Sequence, residues 1–185
     1  MPNLMNPNLN LDFEKNHFEL FGLAPGFQLD VARLEQAYHD MQAQVHPDKH
    51  AHLGDVERRL AMQWATHANE AYQTLRQPLS RARYLLQLHG VAGSEDSNTA
   101  MSPAFLMEQM EWREAIMEAK AAQVVDDLES LAGRLRAETQ QRQDVLHRLL
   151  DVERDYRQAA EQVRELKFME KLREEINYAL EALDA

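Results

Sequence analysis

The chain has 185 residues, 44% of them hydrophobic and 28% charged, with 6 Gly, 6 Pro and a formal net charge of -11. That is enough apolar material for one or two cored domains, in a composition that favours helix over strand. With no cysteine, disulfides, thiolate zinc sites and cysteine nucleophiles are excluded, and a reducing compartment is expected.

The opening MPNLMNPNLNLDFEKN is rich in Asn and has no apolar core stretch, so neither a secretory nor a mitochondrial leader is expected. No apolar run approaches the length of a membrane span. Residues 1–15 therefore read as an N-terminal extension. NHFELFGL then predicts a short helix ended by the turn Ala24-Pro25-Gly26. Asp30 caps the next helix, in which Val31, Leu34, Tyr38, Met41 and Val45 recur at steps of 3, 4, 3 and 4 and form one apolar stripe. Pro47 biases His46 away from helical geometry, so this helix is expected to stop near Val45, with a loop to about Asp55. Ala61, Ala65, Ala68, Tyr72 and Leu75 mark a third helix, its small residues allowing close approach of the helix across the loop, and Pro78 ends it. LSRARYLLQLHG makes a short fourth helix finishing at Gly90.

The polar run GSEDSNTA, residues 93–100, interrupts the periodicity, so a linker is placed at 91–101 between a first module, 16–90, and a second, 102–185. Ser102 and Pro103 are a start signal for a helix to about Ala122. Val124, Leu128, Leu131, Leu135, Val145, Leu149 and Val152 trace another, and Tyr156, Val163, Leu166, Met169, Ile176, Leu180 and Leu183 a last one. Short connections imply antiparallel neighbours, hence a three-helix bundle or an extended hairpin with a third helix against it. The fold class is all-α. Residues 1–90 carry 10 acidic and 8 basic side chains and residues 91–185 carry 21 and 12. The second module would therefore repel nucleic-acid phosphates and suits a basic protein surface.

At the hairpin tip, QVHPDKH offers an imidazole, a proline of fixed φ and a carboxylate on a loop that solvent and partners can reach. Pro47 lowers the ordering cost on binding, and Asp48 suits a charge-assisted bond from a partner arginine. No nucleophile or general base with a matching orienter stands nearby. Two other readings exist: an ordinary interhelix turn, and a metal site built from His46, His50 and His52 with Asp48 or Asp55.

The tripeptide His46-Pro47-Asp48 between two helices, preceded by FELFGL and followed by NEAYQTLRQP, resembles the J-domain of DnaJ-type co-chaperones. TLRQPLSRARYLLQLHG, FLMEQMEWREA and VRELKFMEKLREEI extend the resemblance to the HscB family of iron-sulfur cluster biogenesis, over about residues 16–183. The resemblance implies an all-α J-domain hairpin joined to a C-terminal three-helix scaffold-binding domain. It implies a cytoplasmic bacterial co-chaperone rather than an enzyme, with no cofactor, no nucleic acid and no membrane partner. His46, Pro47 and Asp48, with Arg33 and Lys49, would dock on the specialised DnaK-class chaperone HscA and stimulate its ATPase. Many J-domains carry a basic face on the helix before the loop, whereas here its outward positions are Arg33, Gln36, His39, Gln42 and Gln44. That departure leaves room for an adaptor that binds without stimulating.

The family's positions for binding the cluster scaffold IscU carry over to Leu106, Met107, Met110, Glu111, Glu114, Glu118 and Phe168. Met107, Glu111, Glu114 and Glu118 stand at steps of 4, 3 and 4, so one helix face presents an apolar patch running into an acidic stripe. Phe168 falls off the main apolar stripe of its helix and is expected as an exposed anchor. Periodicity alone also accommodates Leu106 and Met110 as bundle core, the glutamates as a solvated face and Phe168 packed on a neighbouring helix.

Overall fold

The computed structural model describes residues 14–45, 54–91 and 101–184. Among these the chain is all-α, without strands. It divides into two compact units, Met1–Arg81 and Ala82–Ala185. In the first stand α1 (His17–Leu20), α2 (Val31–Val45), α3 (Asp55–Arg76) and the start of α4 (Pro78–Leu88); in the second, α5 (Pro103–Ala122), α6 (Val125–His147), a π-helical turn (Arg148–Glu153) and α7 (Tyr156–Asp184). The expected hairpin loop, with His46, Pro47, Asp48, Lys49, His50 and His52, lies outside the described residues. So do most of the expected extension and linker.

α1 is set by a reciprocal cap: the Asn16 side chain accepts from the Phe18 and Glu19 amides, and the Glu19 carboxylate accepts from the Asn16 amide. It ends earlier than the expected Ala24-Pro25-Gly26 turn. Gly22 takes φ +63 and the Leu23 amide donates to the Phe18 carbonyl at 2.9 Å, a left-handed glycine stop. At the head of α2 the Asp30 carboxylate accepts from the Arg33 amide at 3.1 Å, as its sequence position predicts.

α2 and α3 pack as a hairpin around aromatic contacts. The rings of Tyr38 and Tyr72 stack at 4.1 Å, 6° apart, and Phe21 meets Tyr38 edge-on at 6.4 Å. The Tyr38 hydroxyl donates to Asn69 at 3.1 Å, so the polar end of the ring is satisfied within the hairpin. Leu34, Tyr38, Ala61, Ala68, Tyr72 and Leu75 are buried as the stripes predict. Val31 is instead exposed, because it opens α2 before the helix reaches its neighbour, while Trp64 and Ala71 join the core beside the expected positions. Arg81 is buried with its guanidinium 5.2 Å from the centre of the Phe27 ring and donating to the Leu75 carbonyl at 2.6 Å. That bond supplies an acceptor's partner at the C-terminal end of α3.

In the second unit α5 packs on both α6 and α7, and α6 runs against α7. The Ser102 hydroxyl caps α5 by accepting from the Phe105 amide at 3.2 Å, with Pro103 in the first turn. The three helices meet around Phe105, Trp112, Ile116, Leu135, Met169 and Ile176. Val124 and Val152, expected on the α6 stripe, are exposed, while Leu146, Leu149 and Leu150 are buried. Val124 stands before α6 begins. The π-helical turn widens the spiral and rotates the faces that follow, which takes Val152 off the apolar side.

Burial holds the His17 imidazole below its usual range, helped by His67 and opposed by Glu70. A base whose folded pKa is lowered contributes stability that is present above its unfolded value and is lost as pH falls through the folded one. The melting temperature should therefore fall between pH 7.5 and 5.5, and His17→Asn should shrink that fall when both proteins are followed by circular dichroism.

Candidate functional site

The helical phase of α5 decides what its surface offers. Trp112 is 0% exposed, with Arg134 4.5 Å above its ring and its indole N–H donating to Glu138 at 3.3 Å. Phe105, Ile116 and Ala119 share its face. At 100° per residue the opposite face must carry Leu106, Met107, Met110, Glu111, Glu114, Met117 and Glu118. All seven are exposed, Met107 at 63% and Met110 at 71%. The alternative in which Leu106 and Met110 fill the core is thereby removed. Met117, seven residues after Met110, belongs to the same strip; that spacing is the sequence signal that could have found it.

Phe168 is corrected. It is 8% exposed and packs edge-on against Phe105 at 5.6 Å rather than standing free. α7 is covered on two sides, by α5 and α6, so its buried arc is wider than a single stripe and includes the off-stripe aromatic. One part of Phe168 still lines a surface groove beside α5 with Met101 and Gln109. Its place is thus the floor beneath the α5 surface.

α5 is held to its neighbours by a charged cluster. Arg142 of α6 pairs with Glu108 of α5, with Glu165 of α7 at 3.4 Å and with Glu138 at 4.0 Å. Burial raises the Glu165 carboxyl above the usual carboxylate range, against the pull of Arg142 and with a further push from Glu108. One guanidinium therefore ties three helices and leaves Glu111, Glu114 and Glu118 outside the cluster and facing solvent.

In the first unit Arg33 is exposed on α2 and donates to the Gly22 carbonyl at 3.4 Å. Gln36, His39 and Gln42 are exposed beside it, as expected of outward positions. Of the residues weighed as metal ligands only Asp55 is described, and it pairs with Arg58 at the start of α3. No cluster of His, Asp and Glu suited to a metal ion occurs among the described residues. No described helix is long and apolar enough to cross a membrane.

Residues 101–177 match the family domain described as the HSCB C-terminal oligomerisation domain. The chain is 54% identical to the co-chaperone protein HscB homolog of Aromatoleum aromaticum over 95% of its own length and 99% of that protein's. Among solved structures it is similar to the chaperone HscB from Vibrio cholerae: 36% identity, TM-score 0.80, covering 91% of this chain and 99% of that one. The crystal structure of the human co-chaperone protein HscB gives 28% identity and a TM-score of 0.84, covering 90% of this chain and 83% of that one.

Two outcomes check this geometry. Met107→Ala with Met110→Ala removes exposed groups and should change stability by no more than about 0.5 kcal/mol, whereas Trp112→Ala should cost about 3–5 kcal/mol, both read from urea unfolding. A carboxyl with a raised folded pKa favours the fold below its unfolded value and loses that contribution as pH rises through the folded one. The urea midpoint of Glu165→Gln should accordingly move in the variant's favour, relative to wild type, from pH 4.5 to 7.5; the opposite drift would mean that Arg142 outweighs burial.

Proposed function

The chain belongs to the HscB co-chaperone family, and from that premise we propose that it is a J-type co-chaperone which holds the iron-sulfur cluster scaffold protein on α5 and triggers ATP hydrolysis by a specialised DnaK-class chaperone. The scaffold is the IscU type and the chaperone the HscA type. The protein acts in the bacterial cytoplasm and has no catalytic site of its own; the chemistry belongs to the chaperone's nucleotide site.

The observation that carries this reading is the two-sided α5. One side is fixed in the core by Trp112, and the other leaves Leu106, Met107 and Met110 exposed beside Glu111, Glu114 and Glu118. Desolvating such apolar groups on a partner supplies binding free energy, and the glutamates steer a basic partner surface and exclude acidic ones. Phe168 supports the strip from beneath through Phe105.

His46, Pro47 and Asp48, with Arg33 and Lys49 alongside, are the trigger in this reading. The functional division is an extension 1–15, a J-domain 16–90, a linker 91–101 and a scaffold-binding domain 102–185. Holding scaffold and trigger in one chain raises the local concentration of scaffold at the chaperone, so affinity for each partner can be modest.

The test is steady-state ATP hydrolysis by the cognate chaperone with scaffold present. Wild type should stimulate turnover, and Asp48→Asn should not, while both bind scaffold equally. If wild type bound scaffold and left the ATPase rate unchanged, the protein would be an adaptor only.

A further inference from the structure

The second unit is acidic, yet two grooves on it are lined by cations without a carboxylate, one by Arg136 and Arg173 and the other by four cations. Arg113 of α5 and Arg164, Lys167 and Lys171 of α7 line a groove of about 250 Å³ floored by Phe168 and edged by Met101. Among the described residues none of these four takes part in an ion pair. Lys120, Arg134, Arg142 and Arg148 in the same unit are matched by carboxylates, while, among the described residues, Arg136, Arg154, Arg157 and Arg173 are not, so what sets this groove apart is that four cations gather along it. Four unmatched cations beside one another repel, and a chain of net charge -11 has carboxylates to spare for them. Their position is also particular. Arg113 follows Met110 by three residues and precedes Met117 by four, so the groove borders the exposed apolar strip on the flank away from Glu111 and Glu118.

We propose that this groove receives an acidic segment of the partner that docks on the methionine strip, so that the α5 surface is bipolar: apolar along its centre, acidic on one flank and basic on the other. The inference rests on the reading above, in which that partner is the iron-sulfur scaffold protein. A surface acidic on one side would attract a basic partner without fixing its direction. Opposite charges on the two flanks make the reversed orientation put like charges together, and so select one register. Lys and Arg side chains can keep their charged ends in water while their stems cover apolar surface, and Arg113 and Lys171 are exposed, so binding here does not require burying an unpaired ion.

The experiment is calorimetric titration of the purified scaffold protein of the same organism into full-length wild type and four double variants, each checked for helicity. Arg113→Glu with Lys171→Glu, both on exposed side chains of different helices, should weaken binding by about tenfold at low salt. Arg113→Gln with Lys171→Gln should fall between. Arg136→Glu with Arg173→Glu makes the same change of net charge in a separate groove between α6 and α7, and should bind as wild type does. Equal weakening by that control would overturn the proposal, since net charge alone would then account for the effect. Unchanged binding by the Arg113/Lys171 reversal, with binding lost in Met107→Ala/Met110→Ala, would overturn it while leaving the scaffold reading intact. A wild type that does not bind scaffold would overturn both. Sedimentation of the same proteins covers the other occupant: a wild-type dimer dissolved by the Arg113/Lys171 reversal, with scaffold binding unchanged, would assign the groove to a second copy of the chain and overturn the proposal.

Discussion

Burial of the Trp112 ring is the constraint on which the candidate site depends. A bundle of three helices has little choice about a side chain of that size: it must lie between α5 and its neighbours, with its one N–H answered by Glu138 and its face covered by Arg134. Once it is placed, the phase of α5 is fixed and every other residue of the helix follows by rotation. The exposed methionines are thus a consequence of the core, and they stay apolar in water at a position where a soluble surface would ordinarily be polar. The Arg142 cluster adds a second restraint, since a rotation of α5 would carry Glu108 away from a guanidinium that Glu165 also shares.

The charge balance of the chain takes on a different meaning side chain by side chain. An excess of carboxylates keeps a protein soluble and repels nucleic acid. Here the excess is sorted: some carboxylates answer buried or bridging cations, Glu111 and Glu118 line one flank of the apolar strip, and four cations beside the other flank take part in no ion pair among the described residues. Net charge reports the solubility of such a surface; the sorting reports the kind of partner it fits.

Much of this was legible in the sequence. Periodicity gave the helix order, Asp30 and Ser102 announced their caps, and the spacing of Met107, Glu111, Glu114 and Glu118 placed them on one exposed face. The exceptions have physical causes. Val31 and Val124 sit where a helix starts or has not yet begun, so a periodic position does not yet have a neighbour to pack on. Val152 lies in a π-helical turn, which breaks the period on which the stripe was built. Phe168 looked exposed because a stripe assumes one covered side, and α7 has two. The basic groove could not be read at all: Arg113 and Lys171 belong to different helices, and only packing brings them to one surface.

The strip of Met107, Met110 and Met117 gives a chain without cysteine a chemical sensitivity of its own. Thioether sulfur is soft and adapts to an irregular partner surface, but an exposed thioether is also open to oxidants. Conversion to the sulfoxide would turn the centre of the strip from apolar to strongly polar without disturbing the Trp112 core behind it. The fold would survive such a change and the apolar character of the strip would not, and because methionine sulfoxide is enzymatically reducible, the change would be reversible.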